Sequence, residues 1–161
     1  MNKMANAKTN VMRILDKENI DYKIHTYQVK DNSIDGISVA NKLGIPVEKV
    51  FKTLVTKGHS GNFYVFVIPV AKELNLKAAA RSVEEKSVEM IKANDMLKIT
   101  GYIRGGCSPI GMKKSYTTVI DESSTNLDRI IVSGGKIGFQ VEINLKDLLE
   151  IINAETSLIT D

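Results

Sequence analysis

The residues whose types suit chemistry are a lysine in an apolar run, two glycine-rich turns and a lone thiol. Lys52 stands inside Val50-Phe51-Lys52-Thr53-Leu54-Val55. If this run is a strand, Lys52 shares a face with Val50 and Leu54. A lysine on an apolar face must be paired, reach water along its aliphatic stem, or serve a site. Two readings stay open. One is an edge-strand lysine that discourages strand addition. The other is a cation beside a pocket, able to bind phosphate or to stabilise a developing oxyanion.

The second feature is Gly101-Tyr102-Ile103-Arg104-Gly105-Gly106-Cys107-Ser108-Pro109-Ile110-Gly111, in which four glycines and a proline make an irregular loop. Glycines let backbone approach a ligand and present bare N–H groups. A purely structural turn is the other reading. The Gly-Lys-Ser/Thr ending of a P-loop is missing, and the glycine spacing is wrong for a dinucleotide fingerprint. The third feature is Ile131-Val132-Ser133-Gly134-Gly135-Lys136, an apolar strand running into a small-residue turn. It reads as a pocket rim or as a tight connection to the strand at Gly138.

The single cysteine, Cys107, excludes an internal disulfide and a multi-cysteine metal site. It is either a nucleophile in a glycine loop or a bystander thiol. His25 and His59 are isolated, with no carboxylate or thiol at a metal spacing, so no metal and no cofactor is expected. Glu84-Glu85-Lys86 reads as solvated surface, and so does Lys113-Lys114 unless it touches nucleic-acid phosphate.

The elements that must position these groups follow from pattern. The 161 residues match one domain, expected over 1–161, and 43% hydrophobic with 25% charged is ordinary globular composition. A net charge of +3 leans toward an anionic partner without announcing one. Met1 to Asn10 has no long apolar run, and no stretch of about 18 apolar residues occurs, so a cytoplasmic chain without a membrane span is expected. From Thr9, Val11, Ile14 and Leu15 fall on one helical face. Asp21–Tyr27 alternates as a strand, and Lys30–Gly36 is a polar loop. Ile37–Leu43 is a helix closed by Gly44, and Pro46 opens a further helical turn.

Val50–Thr56 and Asn62–Pro69 form a hairpin around Gly58, Ser60 and Gly61. Phe63–Ile68 is continuously apolar, so both its faces should be covered by helices packed on a sheet. Helical propensity marks Glu73–Ser82, a short strand Ser87–Ile91, and a helical turn Asn94–Lys98. Strands at Tyr116–Asp121, Arg129–Ser133 and Gly138–Ile143 precede a last helix, Leu145–Ile152. The fold class is α/β (α+β): a mixed, mostly antiparallel sheet or partial barrel flanked by helices.

These pieces, in this order, resemble the YbaK/EbsC family of aminoacyl-tRNA deacylases over nearly the whole chain. Ile24-His25-Thr26-Tyr27 resembles its first strand, Leu43-Gly44 with Val50-Phe51-Lys52-Thr53-Leu54 its lysine strand, and Ile68-Pro69-Val70-Ala71 with Leu74–Lys77 the following strand and helix. Gly101-Tyr102, Gly105-Gly106, Ser108-Pro109 and Gly111 resemble its glycine loop. Val132-Ser133-Gly134-Gly135-Lys136 with Gly138 resembles its final turn. Within the family the chain is most similar to the Cys-tRNA(Pro) deacylases, whose fold is similar to the editing domain of bacterial prolyl-tRNA synthetases.

The resemblance implies cleavage of the ester between a wrong amino acid and the tRNA 3′ adenosine, because a synthetase site for proline rejects small analogues poorly. It implies that Lys52 holds the terminal phosphate or ribose, with Tyr27 beside the same pocket. It implies that N–H groups around Gly105 and Gly106 face the ester carbonyl as an oxyanion hole. Ser133, Gly134 and Gly135 would bound the amino-acid side. Thr53, Ser108, Pro109, Gly111 and Lys136 belong to the matched motifs as substrate-binding positions. In the cysteine branch the substrate's own thiol attacks the ester, so no protein nucleophile is required.

The implied partner is mischarged tRNA; the modest net charge suggests weak tRNA affinity alone, so a prolyl-tRNA synthetase is expected to help deliver it. The alternatives are an Ala-tRNA(Pro) deacylase, a non-catalytic tRNA- or synthetase-binding module, and a Cys107 thiol enzyme. Gln140, where many relatives are acidic, and Cys107, where a small or aliphatic residue is common, are the departures from the family pattern. Both act on the pocket and hence on amino-acid specificity.

Overall fold

The structure, a computed structural model, describes residues 8–28 and 35–161. The start of the Met1–Asn10 segment and most of the expected Lys30–Gly36 loop lie outside the described residues.

The first helix, α1, is Asn10–Lys17, and Thr9 caps it by accepting the Met12 N–H. It buries Val11, Met12 and Leu15, while Ile14 packs at the margin of the same core. Strand β1, Tyr22–Thr26, pairs antiparallel with β7, Phe139–Asn144, and β7 pairs antiparallel with β6, Arg129–Ser133. These three make one sheet in the order β1-β7-β6. The expected alternation does not appear in burial: Tyr22 and His25 are half-buried while Lys23, Ile24 and Thr26 are exposed, Ile24 by 41%, because β1 is an edge strand.

Helix α2 is Gly36–Leu43, capped by Asp35 and closed by Gly44 in the left-handed conformation. A 3₁₀ turn at Val47–Lys49 follows Pro46. The hairpin is β2, Phe51–Gly58, and β3, Phe63–Pro69, paired antiparallel in register from Phe51↔Pro69 to Lys57↔Phe63. The second sheet has the order β4-β2-β3-β5-β8, with β4 at Val88–Met90, β5 at Thr117–Asp121 and β8 at Glu155–Ser157. β5 runs parallel to both β3 and β8, which makes this sheet mixed, as expected. A parallel bridge between Val50 and Ile131 joins the two sheets, so the expected partial barrel takes the form of two sheets touching at one seam.

β3 is the partition of the molecule. Val65 and Val67 face a core shared with α1 and with Ile130, Val132, Val141 and Ile143 of the small sheet. Tyr64, Phe66 and Ile68 face a second core closed by Ala79 and Ala80 of helix α3, Leu76–Ser82. Both faces are covered, as the apolar run required. One cover is mainly the other sheet, where helices alone were expected. α3 begins at Leu76 instead of Glu73, because Asn75 caps it by accepting the Ala78 N–H while Leu74 stays extended and bridges Thr160.

Helix α4 is Met96–Thr100, and α5 is Leu145–Ile151, which buries Leu148. Strand β8 has no counterpart in the sequence reading. It is held by Asp121, a buried carboxylate that accepts from Ser123 N (3.2 Å), Ser123 Oγ (2.5 Å), Ile159 N (3.1 Å) and Thr160 Oγ1 (3.2 Å). Among the described residues no helix is long and apolar enough to cross a membrane.

Candidate active site

Segments far apart in sequence meet around one cavity of about 110 Å³. α2 supplies Gly36 and Val39, the start of β2 supplies Val50 to Thr53, and Val70 follows β3. The glycine loop supplies Gly105 and Cys107, and the small sheet supplies Ser133 and Gln140. This is room for about four waters, well short of the ~300 Å³ and upward typical of drug-sized ligands.

The fold brings these residues together for local reasons. The Val50–Ile131 bridge lays the start of β2 against β6, and Ser133 and Gln140 are register partners at the open end of the small sheet. Gly36 permits the closest approach: a Cβ there would lie 2.1 Å from Val70 Cγ1. Val70 N donates to Val50 O (2.9 Å), which fixes that wall.

Lys52 is half-buried, and its ammonium makes no hydrogen bond or ion pair with a described residue. Along Lys52, β2 is paired only on its β3 side, since β4 reaches residues 56–58 alone. Next to it, the Thr53 hydroxyl is fully shielded from water and has no hydrogen-bond partner. A buried hydroxyl without a partner costs stability of about 1–3 kcal/mol. Ser133 Oγ accepts the Gly135 N–H (3.1 Å) and keeps its own proton to donate.

The remaining expected positions separate into two groups. Gly106 packs against the next turn, where a Cβ would lie 3.3 Å from Ile137 N, and its N–H donates to Ile103 O (3.0 Å). Gly106 therefore has no N–H to offer an oxyanion; of the loop N–H groups that no described residue accepts, those of Gly105 and Cys107 belong to residues that line the cavity. Gly134 N is likewise committed to Phe139 O (2.9 Å).

Ser108, Pro109 and Gly111 do not line the cavity. Ser108 Oγ accepts the Ile110 N–H, and a Cβ on Gly111 would strike Ile14 and Tyr102 at 2.9 Å each. Gly135 is packed the same way, with Val11 Cγ2 at 2.9 Å. This half of the loop anchors α1. Lys136 holds its ammonium 5.9 Å over the Phe139 ring. Tyr27 lies one residue beyond β1, its N–H on Gly138 O (3.0 Å), and its hydroxyl is buried without a partner. It flanks the 134–138 turn and is not part of the cavity wall.

Gly36, Val39 and Val70 were not found from sequence. Their only signal is the Asp35-Gly36 pair opening a helix, whose steric meaning appears when Val70 is in place.

Cys107 is buried, and burial pushes its thiol up to about 12 against a smaller opposing contribution from the Thr100 side chain. A neutral thiol is a poor nucleophile, which weighs against the thiol-enzyme reading. On the same face of the small sheet, His25 Nε2 lies 2.8 Å from Glu142 Oε1, and Lys49 Nζ lies 3.5 Å from Glu142 Oε2. Burial would raise the Glu142 carboxyl, but the hydrogen bond to His25 and the charge of Lys49 outweigh it and hold Glu142 below its ordinary value. His25 is the register partner of Gln140, so this pair braces the sheet beside the cavity. Among the described residues no His, Cys, Asp and Glu group is arranged to hold a metal.

The chain belongs to the aminoacyl-tRNA editing domain family, whose profile matches residues 34–151, and within it to the YbaK/EbsC group. It is 41% identical over 158 residues, 98% of this chain and 96% of the relative, to EbsC of Enterococcus faecalis, named "Putative Cys-tRNA(Pro)/Cys-tRNA(Cys) deacylase". It is 30% identical over 112 residues to the proline–tRNA ligase of Fervidobacterium nodosum, matching 70% of this chain but 18% of that enzyme. The same fold occurs in a crystal structure described as "a putative trans-editing enzyme for prolyl tRNA synthetase", with a TM-score of 0.80 at 20% identity over 95% of this chain and 98% of that one. The activity class is thus aminoacyl-tRNA editing, and the substrate class is mischarged tRNA.

Proposed function

We propose that this chain is a trans-editing deacylase that removes cysteine from tRNA(Pro). The observation that carries the reading is the cavity itself: about 110 Å³ beside an unpaired Lys52 and an unpartnered Thr53 hydroxyl. A volume that small admits the side chain of cysteine or alanine. The kinship with EbsC favours cysteine.

In this reading Lys52 binds the 3′-terminal phosphate or ribose and sets the ester in the cavity. The Thr53 hydroxyl and the Gly105 and Cys107 N–H groups take up the carbonyl oxygen as it gains negative charge. The sulfur of the esterified cysteine loses its proton and attacks its own carbonyl carbon. A C–S bond forms, the bond to the ribose oxygen breaks, and that oxygen takes a proton. The products are a cyclic thioester and deacylated tRNA. A protein nucleophile is not needed, which agrees with a Cys107 thiol held neutral. Tyr27 and Lys136 serve in this scheme as supports of the 134–138 turn. A prolyl-tRNA synthetase helps to present the substrate, and the rates with and without it at limiting tRNA test that part.

The test is release of labelled amino acid from Cys-tRNA(Pro), Ala-tRNA(Pro) and Pro-tRNA(Pro), by wild type and by Lys52→Ala. Loss of cysteine alone, abolished in the variant, is the expected result. Loss of alanine would move the chain to the sister specificity. No loss from any substrate would leave a tRNA-binding module without turnover.

A further inference from the structure

A second concavity lies at the other end of the hairpin. It is a groove of about 700 Å³ whose walls carry Lys57, Lys92, Lys98, Lys113 and Lys114 against two carboxylates, Glu89 and Asp95. All seven side chains are exposed, and no salt bridge forms among them. Of the five ammonium groups only Lys113 has an acceptor among the described residues, the Lys98 carbonyl at 3.3 Å. In a chain whose whole net charge is +3, this is a concentration of uncompensated positive charge. Its floor includes Phe63 and Tyr116, packed edge to face with centroids 6.0 Å apart, and Tyr116 is held by donating to Ile99 O (2.6 Å).

Two connections tie this groove to the editing cavity. Lys57 and Thr53 share a face of β2, and Lys52 and Lys57 are separated by ~16 Å of strand. The glycine loop joins them as well. Lys98 stands at its entrance and Lys113 and Lys114 at its exit, while Gly105 and Cys107 at its middle line the cavity. Val55, between Thr53 and Lys57 on that face, is buried in the core, so an anionic strand whose 3′ end enters the cavity would reach the lysines along the glycine-loop side.

We propose that this lysine groove binds the phosphate backbone of the tRNA acceptor end, upstream of the esterified adenosine. The proposal rests on the editing reading for the identity of the RNA, but not for the charge complementarity. Unpaired lysines around an aromatic floor are what a sequence-tolerant nucleic-acid groove requires.

The experiment compares wild type with Lys98→Glu/Lys114→Glu and with Lys98→Gln/Lys114→Gln, all checked for an unchanged thermal midpoint. Three readouts are taken: affinity for tRNA(Pro), its dependence on salt, and deacylation of both full Cys-tRNA(Pro) and a cysteinylated CCA trinucleotide. The Glu variant should bind tRNA at least about tenfold more weakly, and the Gln variant less so. The salt slope should shrink by about 1.5, as for two lost phosphate contacts. kcat/KM should fall on full tRNA and hold on the trinucleotide.

Unchanged affinity and salt slope would overturn the proposal, as would an equal loss on the trinucleotide. Loss of binding to a synthetase with tRNA binding intact would overturn it too, by making the groove a protein contact. If wild type deacylates neither substrate while tRNA binding still follows the lysines, the groove stands and the editing reading falls.

Discussion

Two buried polar sites in this chain are built in opposite ways. At Asp121 four donors converge on one carboxylate, and the group has all the partners it needs to hold β8 and the residues after it. At the cavity, the Thr53 hydroxyl has no partner and the Lys52 ammonium is unpaired. A polar group that serves the fold is satisfied within the fold. One that serves a ligand is left open, and the protein carries the cost. Ser124, in the turn after β5, also has a buried hydroxyl without a partner, and nothing in the structure explains it.

The contrast predicts which changes cost function and which cost stability. Lys52→Ala should lower deacylation by about 10²–10³, as expected for removing a group that stabilises developing charge. The thermal midpoint should move by less than about 2 °C. A collapse of stability in that variant would place Lys52 with Asp121 as a structural residue. Asp121→Ala should do the reverse. Stripping a buried carboxylate from four donors costs about 3 kcal/mol, or about 6–12 °C in Tm for a chain of this size. kcat/KM at a temperature where the variant is folded should be unchanged.

The sharpest test is Thr53→Val, which keeps the shape and removes the hydroxyl. Stability should hold or rise, because an unsatisfied buried group is lost, while deacylation falls about tenfold with one hydrogen bond of about 1–1.5 kcal/mol. If both fall together, the hydroxyl has a partner in the fold after all. Cys107→Ser should keep its activity, and alkylating reagents should act slowly on the wild-type thiol.

The smallest effect concerns Glu142, whose carboxyl is held below its ordinary value in the fold. Its contribution is full above the unfolded carboxylate value and is lost as pH falls through the folded one. Urea midpoints followed from about pH 6 to about pH 3 should drop less steeply in Glu142→Gln than in wild type.

Much of this was legible in the sequence. The strands announced themselves through apolar runs bounded by glycine and asparagine, and Lys52 through its misfit with its neighbours. What escaped depended on partners distant in the chain. β8 is Glu-Thr-Ser, with no apolar signature, and it exists because β5 offers it a parallel edge. Gly36 matters because Val70 crowds it. Gly111 and Gly135 read as substrate-binding, yet they answer to Ile14 and Val11, which only the docked α1 brings near, and to Tyr102. Asp121 looked like a strand end, and its four donors come from a turn and from a segment some 38 residues later.

The β1–β7 ladder also imposes an order of events during synthesis. Tyr22 pairs with Ile143, and His25 meets Glu142 across 117 positions. A ribosome adding 5–20 residues per second needs on the order of ten seconds to make that interval. Throughout it β1 has no strand to join, and the small sheet that backs the cavity cannot close. The nascent chain therefore completes the cavity only after the last strand of that sheet has emerged.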